Sequence, residues 1–283
     1  MNGIVIMTSI KGFMEDSIIR YKYLLFIVIL FLLSFALIGI LFNLIYGLWY
    51  GVGVALLLLI AFVKWGEKIV LIFARARYVT DDESLVNQVK NFCCHLSMPE
   101  VKVYWSNIFI NNLYYTDSRL GDPALIIGKN LYRTFSRNEL NSLIYASLLR
   151  IKTGEARNRT MTTLIFFILY SPTYLIHRLL PSRLAKGVRF FLYPAFVLKS
   201  RMYENEKELQ FFDQRVGQMS GLKKDYIAAL FKTASLPAIN ELSIGSMILG
   251  DLSLAKNQTS DPLADLMVNR IDVKQRIKLL SIN

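Results

Sequence analysis

The chain has 283 residues, a length that suits one or two domains, and 54% of them are hydrophobic. Its mean hydropathy of +0.38 is high for a soluble globular protein. The net charge is +12, but no finger, arm or stacking motif gathers that charge, so nucleic acid is excluded as the expected partner. Cys93 and Cys94 are the only cysteines. Adjacent thiols do not easily bridge, which excludes a disulfide framework and fits a reducing compartment.

Residues 1–22 read as a short cytoplasmic lead with the character of an interfacial helix. Residues 23–63 carry no charge. A membrane helix needs about 20 apolar residues, so this run predicts a transmembrane hairpin over 23–65, with crossings near 23–43 and 50–65. The turn is expected within 43–53, where Asn43, three glycines and the interfacial aromatics Tyr46, Trp49 and Tyr50 gather. The run is too long for a cleaved signal peptide. Arg20 and Lys22 precede it, and Lys64, Lys68, Arg75 and Arg77 follow it. The positive-inside rule then puts both flanks in the cytoplasm, where basic residues would attract anionic lipid of the bilayer.

After the hairpin, Leu85, Val89, Phe92 and Leu96 recur at helical spacing. Asp81 or Asp82 can cap that helix and Pro99 ends it. The alternating, β-rich stretch 100–110 predicts a strand, and 124–127 a second one; together they predict a small antiparallel sheet. Ser136 and Glu139 fit a capping box. Leu140, Leu143, Ile144, Ser147, Leu148 and Ile151 make one face of the helix that follows. Residues 162–198 are apolar but interrupted at Ser171-Pro172, with a basic linker holding His177, Arg178, Arg183, Lys186 and Arg189. A membrane-inserted or interfacial helical hairpin is favoured there, and two full spans remain the alternative. Residues 199–283 read as helices of the same domain that begins at 66–161.

This order of elements resembles the HtpX-like integral-membrane zinc metallopeptidases, relatives of the CAAX prenyl proteases. The likeness rests on FARARYVTDDESLVNQVKNFCCHLSMPEVKVY, on NNLYYT with Asn112, on ALIIGKNLYRTFSRNELNSLI, on KSRMYENEKELQFFDQRVG and on NRIDVKQRIKLL. It implies a mainly α, α+β membrane protein: an N-terminal transmembrane helical hairpin and a zincin-like helical domain with a small antiparallel sheet. It also implies a bacterial inner-membrane location with the soluble domain cytoplasmic.

In that family two histidines four apart on a helix hold zinc, a glutamate beside the first acts as general base, and a distant glutamate completes the ligands. The resemblance lays Ala146 on the first histidine, Ser147 on the base and Arg150 on the second histidine. The third-ligand position falls on Leu209, with Glu208 one residue away, counted from Asp213. Alanine donates nothing, a serine hydroxyl is too weak a base and a guanidinium repels a divalent cation. The chain has two histidines, His95 and His177, neither with a second at helical spacing. No zinc or other cofactor is therefore expected.

The expectation is a pseudoprotease: an inactive homologue that binds a peptide segment or a membrane protein partner. The candidate cleft or partner contacts are Arg150, Asn112, Glu204, Glu208 and Asp213, with Arg150 free to pair with Glu204, Glu206 or Glu208. Two alternatives stay open: an active membrane metalloendopeptidase with a non-standard site, and a membrane structural or adaptor protein.

Overall fold

The computed structural model describes residues 24–36, 39–40, 46–107, 112–179, 197, 206–219, 221–235, 276–278 and 280. The chain divides into two compact units, Met1–Leu59 and Ile60–Asn283.

In the first unit a helix, α1, covers 24–36, and a second, α2 (Gly47–Phe73), begins. Glycine lets their backbones meet. A Cβ on Gly39 or Gly47 would overlap the other residue's carbonyl oxygen, and one on Gly51 would overlap that of Phe35. Only a residue without a side chain permits such an approach. Leu25, Phe26, Ile29, Leu33, Trp49 and Leu57 are exposed.

The expected transmembrane hairpin is overturned. Among the described residues no helix is long and apolar enough to cross a membrane. Helix α2 breaks at Trp65, where φ is −127° and ψ is 15°. The part ahead of the break, 47–64, rises about 27 Å at 1.5 Å per residue, less than the roughly 30 Å of a hydrocarbon core. Beyond the break α2 carries Glu67 and Lys68, and Glu67 is buried against Ser118, whose hydroxyl it accepts. The integral-membrane fold class, the transmembrane character and the inner-membrane location fall with the hairpin. Of the second expected hairpin, 162–198, the first part belongs to one continuous helix, α6 (Glu155–Leu179), which runs through Ser171-Pro172. Residues 180–196 and 198 lie outside the described residues.

The second unit is built on a four-stranded sheet: β1 (Arg77–Tyr78), β2 (Lys102–Ser106), β3 (Leu113–Thr116) and β4 (Ala124–Gly128), in the order β1-β2-β4-β3. β3 and β4 form an antiparallel hairpin with Leu113 opposite Ile127. β4 returns between β3 and β2 and pairs with β2 in parallel, Val103 against Leu125. The sheet is thus mixed, not antiparallel as expected, because a strand inside NNLYYT takes the turn that reverses the chain before β4. Every residue of β3 and β4 is buried, as an apolar sheet covered by helices requires.

Helix α3 (Glu83–His95) starts at Asp82, whose carboxylate accepts the Leu85 N–H at 2.9 Å. It buries Leu85, Val89 and Cys93 on one side. A short helix, α4 (Lys129–Thr134), leads into α5 (Arg137–Lys152), and α6 follows after a turn at Gly154, whose φ of +75° suits glycine. α7 (Glu206–Gln218) and α8 (Leu222–Ser235) complete the helical layer. One apolar core joins β2–β4, α3 and α5 to Phe212 and Val216 of α7 and Tyr226, Ala229 and Leu230 of α8.

Candidate functional site

The site is organised by α5. Its start is set by a capping box: Ser136 Oγ accepts the Glu139 N–H and the Glu139 carboxylate accepts the Ser136 N–H at 2.8 Å. Lys232 of α8 donates to the same carboxylate at 2.7 Å. The helix is buried from Glu139 to Ile151 almost all round, so a polar side chain in it must find its partners inside the protein. Ala146 is buried in the core. Ser147 is buried too, and its hydroxyl donates to the Leu143 carbonyl at 3.0 Å.

Arg150, one turn further, is only 2% exposed. Its Nη1 donates to the Tyr115 hydroxyl at 3.0 Å and to Glu155 Oε1 at 3.2 Å. Arg159, equally buried, donates from Nη1 to the same two groups, at 2.9 Å to Tyr115 and 3.1 Å to Glu155. Two guanidiniums thus converge on one carboxylate and one phenol. The Arg150 guanidinium also lies 5.2 Å from the Phe212 ring centre and 5.7 Å from that of Tyr115, within cation–π reach. Burial alone would push this guanidinium toward losing its proton; the Glu155 carboxylate outweighs burial and leaves it more firmly charged than an ordinary arginine. Burial pushes the Tyr115 phenol up, against the pull of Arg150 and Arg159, so it stays protonated while it accepts from both.

A second buried constellation lies on α7 and α8. Asp213 takes a bidentate pair from Arg276, Nε at 3.0 Å and Nη2 at 2.8 Å. The Tyr226 hydroxyl donates to Asp213 at 2.7 Å. Planar two-point pairing of this kind is among the stronger polar contacts available to a buried carboxylate. Asp213 and Tyr226 are also close enough to Arg150 to influence its charge. The helix of Arg150 is therefore packed against the helix of Asp213, with Phe212 as the contact.

The described partner of Arg150 is Glu155, not one of the three glutamates expected. Glu204 lies outside the described residues, and Glu206, Glu208 and Leu209 fall in or beside α7 where side chains are not described. Asn112 is buried, and its side-chain oxygen accepts the Leu113 N–H at 2.8 Å. Of the expected partner contacts, Arg150, Asn112 and Asp213 face inward. His95 is exposed, its ring 6.4 Å from that of Tyr145; His177 lies in α6. The acidic group Asp81–Glu83 works as a cap: Asp81 accepts the Trp105 indole N–H at 3.0 Å and Asp82 the Tyr132 hydroxyl at 2.6 Å.

The zinc that the resemblance implies does not fit. The three positions present a methyl group, a hydroxyl engaged by its own helix and a firmly held cation, and a divalent ion needs anionic or neutral donors. Tyr115, Glu155 and Arg159 were not singled out from the sequence. One signal was present: Glu155 and Arg159 stand at i,i+4 on a helix that opens five residues after Arg150. Tyr115 could be found only from the fold, because it reaches α5 across β3.

A third polar cluster joins the loop after β3 to α2 and α6. Asp117 is buried and pairs with Arg157 at 3.2 Å. Burial raises its carboxyl above the usual range, opposed by Arg157. No protein-family model matches the chain, and a search of curated proteins finds no match.

Proposed function

We propose that the protein is a non-catalytic, HtpX-like metallopeptidase homologue that acts by binding a peptide segment or a protein partner. The observation that carries this reading is Arg150. At the position where the resemblance would place a zinc histidine, a buried guanidinium is tied to Glu155 and Tyr115 and stacked on the helix that would bring the third ligand. The group at that position is positive, tied through Nη1 to Glu155 and Tyr115, and a guanidinium that stays protonated offers neither a metal ligand nor a base. The edge strand β3 is wholly buried, so a peptide does not reach it to pair as an added strand.

The test is the zinc content of the purified full-length chain after exchange into metal-free buffer, read beside hydrolysis of a mixed fluorogenic peptide pool. The expected result is a folded sample with neither stoichiometric zinc nor zinc-dependent cleavage. Near one zinc per chain, with cleavage abolished by a chelator, overturns the proposal.

A further inference from the structure

Helix α2 buries one side and opens the other. Ahead of the break at Trp65, Gly47, Gly51, Ala55, Leu59 and Phe62 are buried. At about 100° per residue they share one third of the circumference. Tyr50, Val54, Leu56, Leu57, Ile60 and Lys64 are exposed, and they fall within about 160° on the other side. Tyr50 and Leu57 are 70% and 68% exposed. Position 53 is glycine, and a Cβ there would meet nothing within 4 Å. A helix that is apolar on both sides needs cover on both sides. Tyr46, Trp49 and Tyr50 alone leave about 400 Å² open, at roughly 150–250 Å² per large aromatic. Val54, Leu56, Leu57 and Ile60 bring this to about 800 Å², the share of one partner in a standard interface and above the roughly 300–600 Å² of the largest apolar patch on a typical monomer.

The order of residues along the open side restricts what fits it. Tyr50, Gly53, Leu57, Ile60 and Lys64 alternate at spacings of three and four, the repeat of a seam between two helices. Leu57 is the midpoint, seven residues from Tyr50 and seven from Lys64. An antiparallel copy laid on this seam about a two-fold axis at Leu57 sets Leu57 on Leu57 and Val54 opposite Ile60. It sets Gly53 opposite Ala61 and Tyr50 opposite Lys64. Branched side chains then meet branched ones, small residues meet small ones, and a cation meets an aromatic ring. The Lys64 ammonium already lies over a ring in the single copy, 4.9 Å from the centre of Trp65. The two Lys64 positions end about 21 Å apart along the axis, beyond the Debye length of about 8 Å. A parallel pair would set them side by side. We infer that a second copy of this chain covers the open side of α2, the two helices antiparallel about an axis at Leu57, with each Lys64 over Tyr50 of the other copy. The inference goes beyond the proposed function and does not depend on it, since it uses none of the residues around Arg150.

The experiment is sedimentation velocity on the full chain in lipid-free, detergent-free buffer, from about 1 to 100 μM, the weak end of the range that standard-sized interfaces cover. The parent should sediment as a dimer over most of that range. Leu57→Glu sets two carboxylates on the axis and should weaken the dimer about 30-fold or more, the loss expected at a central contact. It should still melt cooperatively, because position 57 faces solvent in the single copy. Cys94→Ser removes the exposed native thiol. In that background Leu57→Cys should cross-link two copies on mild oxidation, and Tyr50→Cys should not. A parent that stays monomeric across the range overturns the inference, and flotation of that monomer with phosphatidylcholine vesicles names lipid as the occupant instead. A dimer indifferent to Leu57→Glu overturns the face. Cross-linking through Tyr50→Cys in place of Leu57→Cys overturns the antiparallel arrangement. None of these results bears on the zinc measurement.

Discussion

The two ends of α5 have been treated in opposite ways. At its C-terminal end Arg150, Glu155, Arg159 and Tyr115 are buried and turned on one another. At its N-terminal end Asn141 is buried with an acceptor unmet, and Arg137 stands exposed beside it. The same helix thus gathers charged groups on one another at one end and leaves a charged side chain exposed at the other, with an unmet buried atom at each: Arg150 Nε and Asn141 Oδ1. The lesson is that charge alone does not mark a binding site. A buried charge with its partner in place is a structural element, whereas a buried polar atom with no partner costs stability wherever it lies.

The comparison breaks first at Glu155. Glu155→Gln leaves Arg150 buried without its carboxylate and should cost about 3–5 kcal/mol, read as a lower denaturant midpoint at unchanged m-value. Arg150→Met keeps the Glu155–Arg159 pair and should cost about half of that or less. Equal losses would show that the two arginines do not share Glu155 as described. At the open end, Ser136→Ala removes half of the capping box and should cost about 1 kcal/mol by the same measurement.

Two carboxylates sharpen the contrast through pH. For Glu139, desolvation pushes its carboxyl up, but the Lys232 and Ser136 hydrogen bonds prevail and hold it below the ordinary 4.5. The unfolded chain therefore binds more protons near that value, so the Glu139 contribution is complete above pH 4.5 and lost as pH falls. Asp117 has the reverse sign. Burial raises it above 3.8, the folded chain binds more protons, and its contribution is present in acid and lost as pH rises from 3.8 through the folded value. Denaturant midpoints from pH 3 to 7 should show Glu139→Gln flattening the acid limb, and Asp117→Asn gaining on the parent as pH rises. Parallel curves for Asp117→Asn and parent would contradict the burial argument. The smallest effect belongs to Asn141→Leu, within about 0.5 kcal/mol of the parent or stabilising, because a desolvated acceptor is replaced by an apolar group of similar size.

Much of α5 was legible in the chain itself. Ser136 and Glu139 announce its start, and the apolar spacing from Leu140 to Ile151 gives its inward face. The cap of α3 and the strands at 102–106 and 124–128 were legible for the same local reasons. The pairing of the sheet was not. NNLYYT supplied a family likeness rather than a strand, so the hairpin that turns β4 parallel to β2 went unseen. The uncharged run 23–63 suggested two crossings because composition counts apolar residues without regard to helix continuity. The break at Trp65 and the burial of Glu67 are tertiary facts.

By itself the sequence determined where α3 and α5 begin, which positions are apolar, and that the residue types at Ala146, Ser147 and Arg150 are not those of a zincin site. These follow from side-chain chemistry at fixed spacing along one chain. Only the tertiary structure decided that Arg150 meets Glu155 and Tyr115, that Asp213 meets Arg276, and that Asn141 is buried with its side-chain oxygen unmet. Each of these is a relation across the fold, and the charge or acceptor concerned would have met water had the chain packed in any other way.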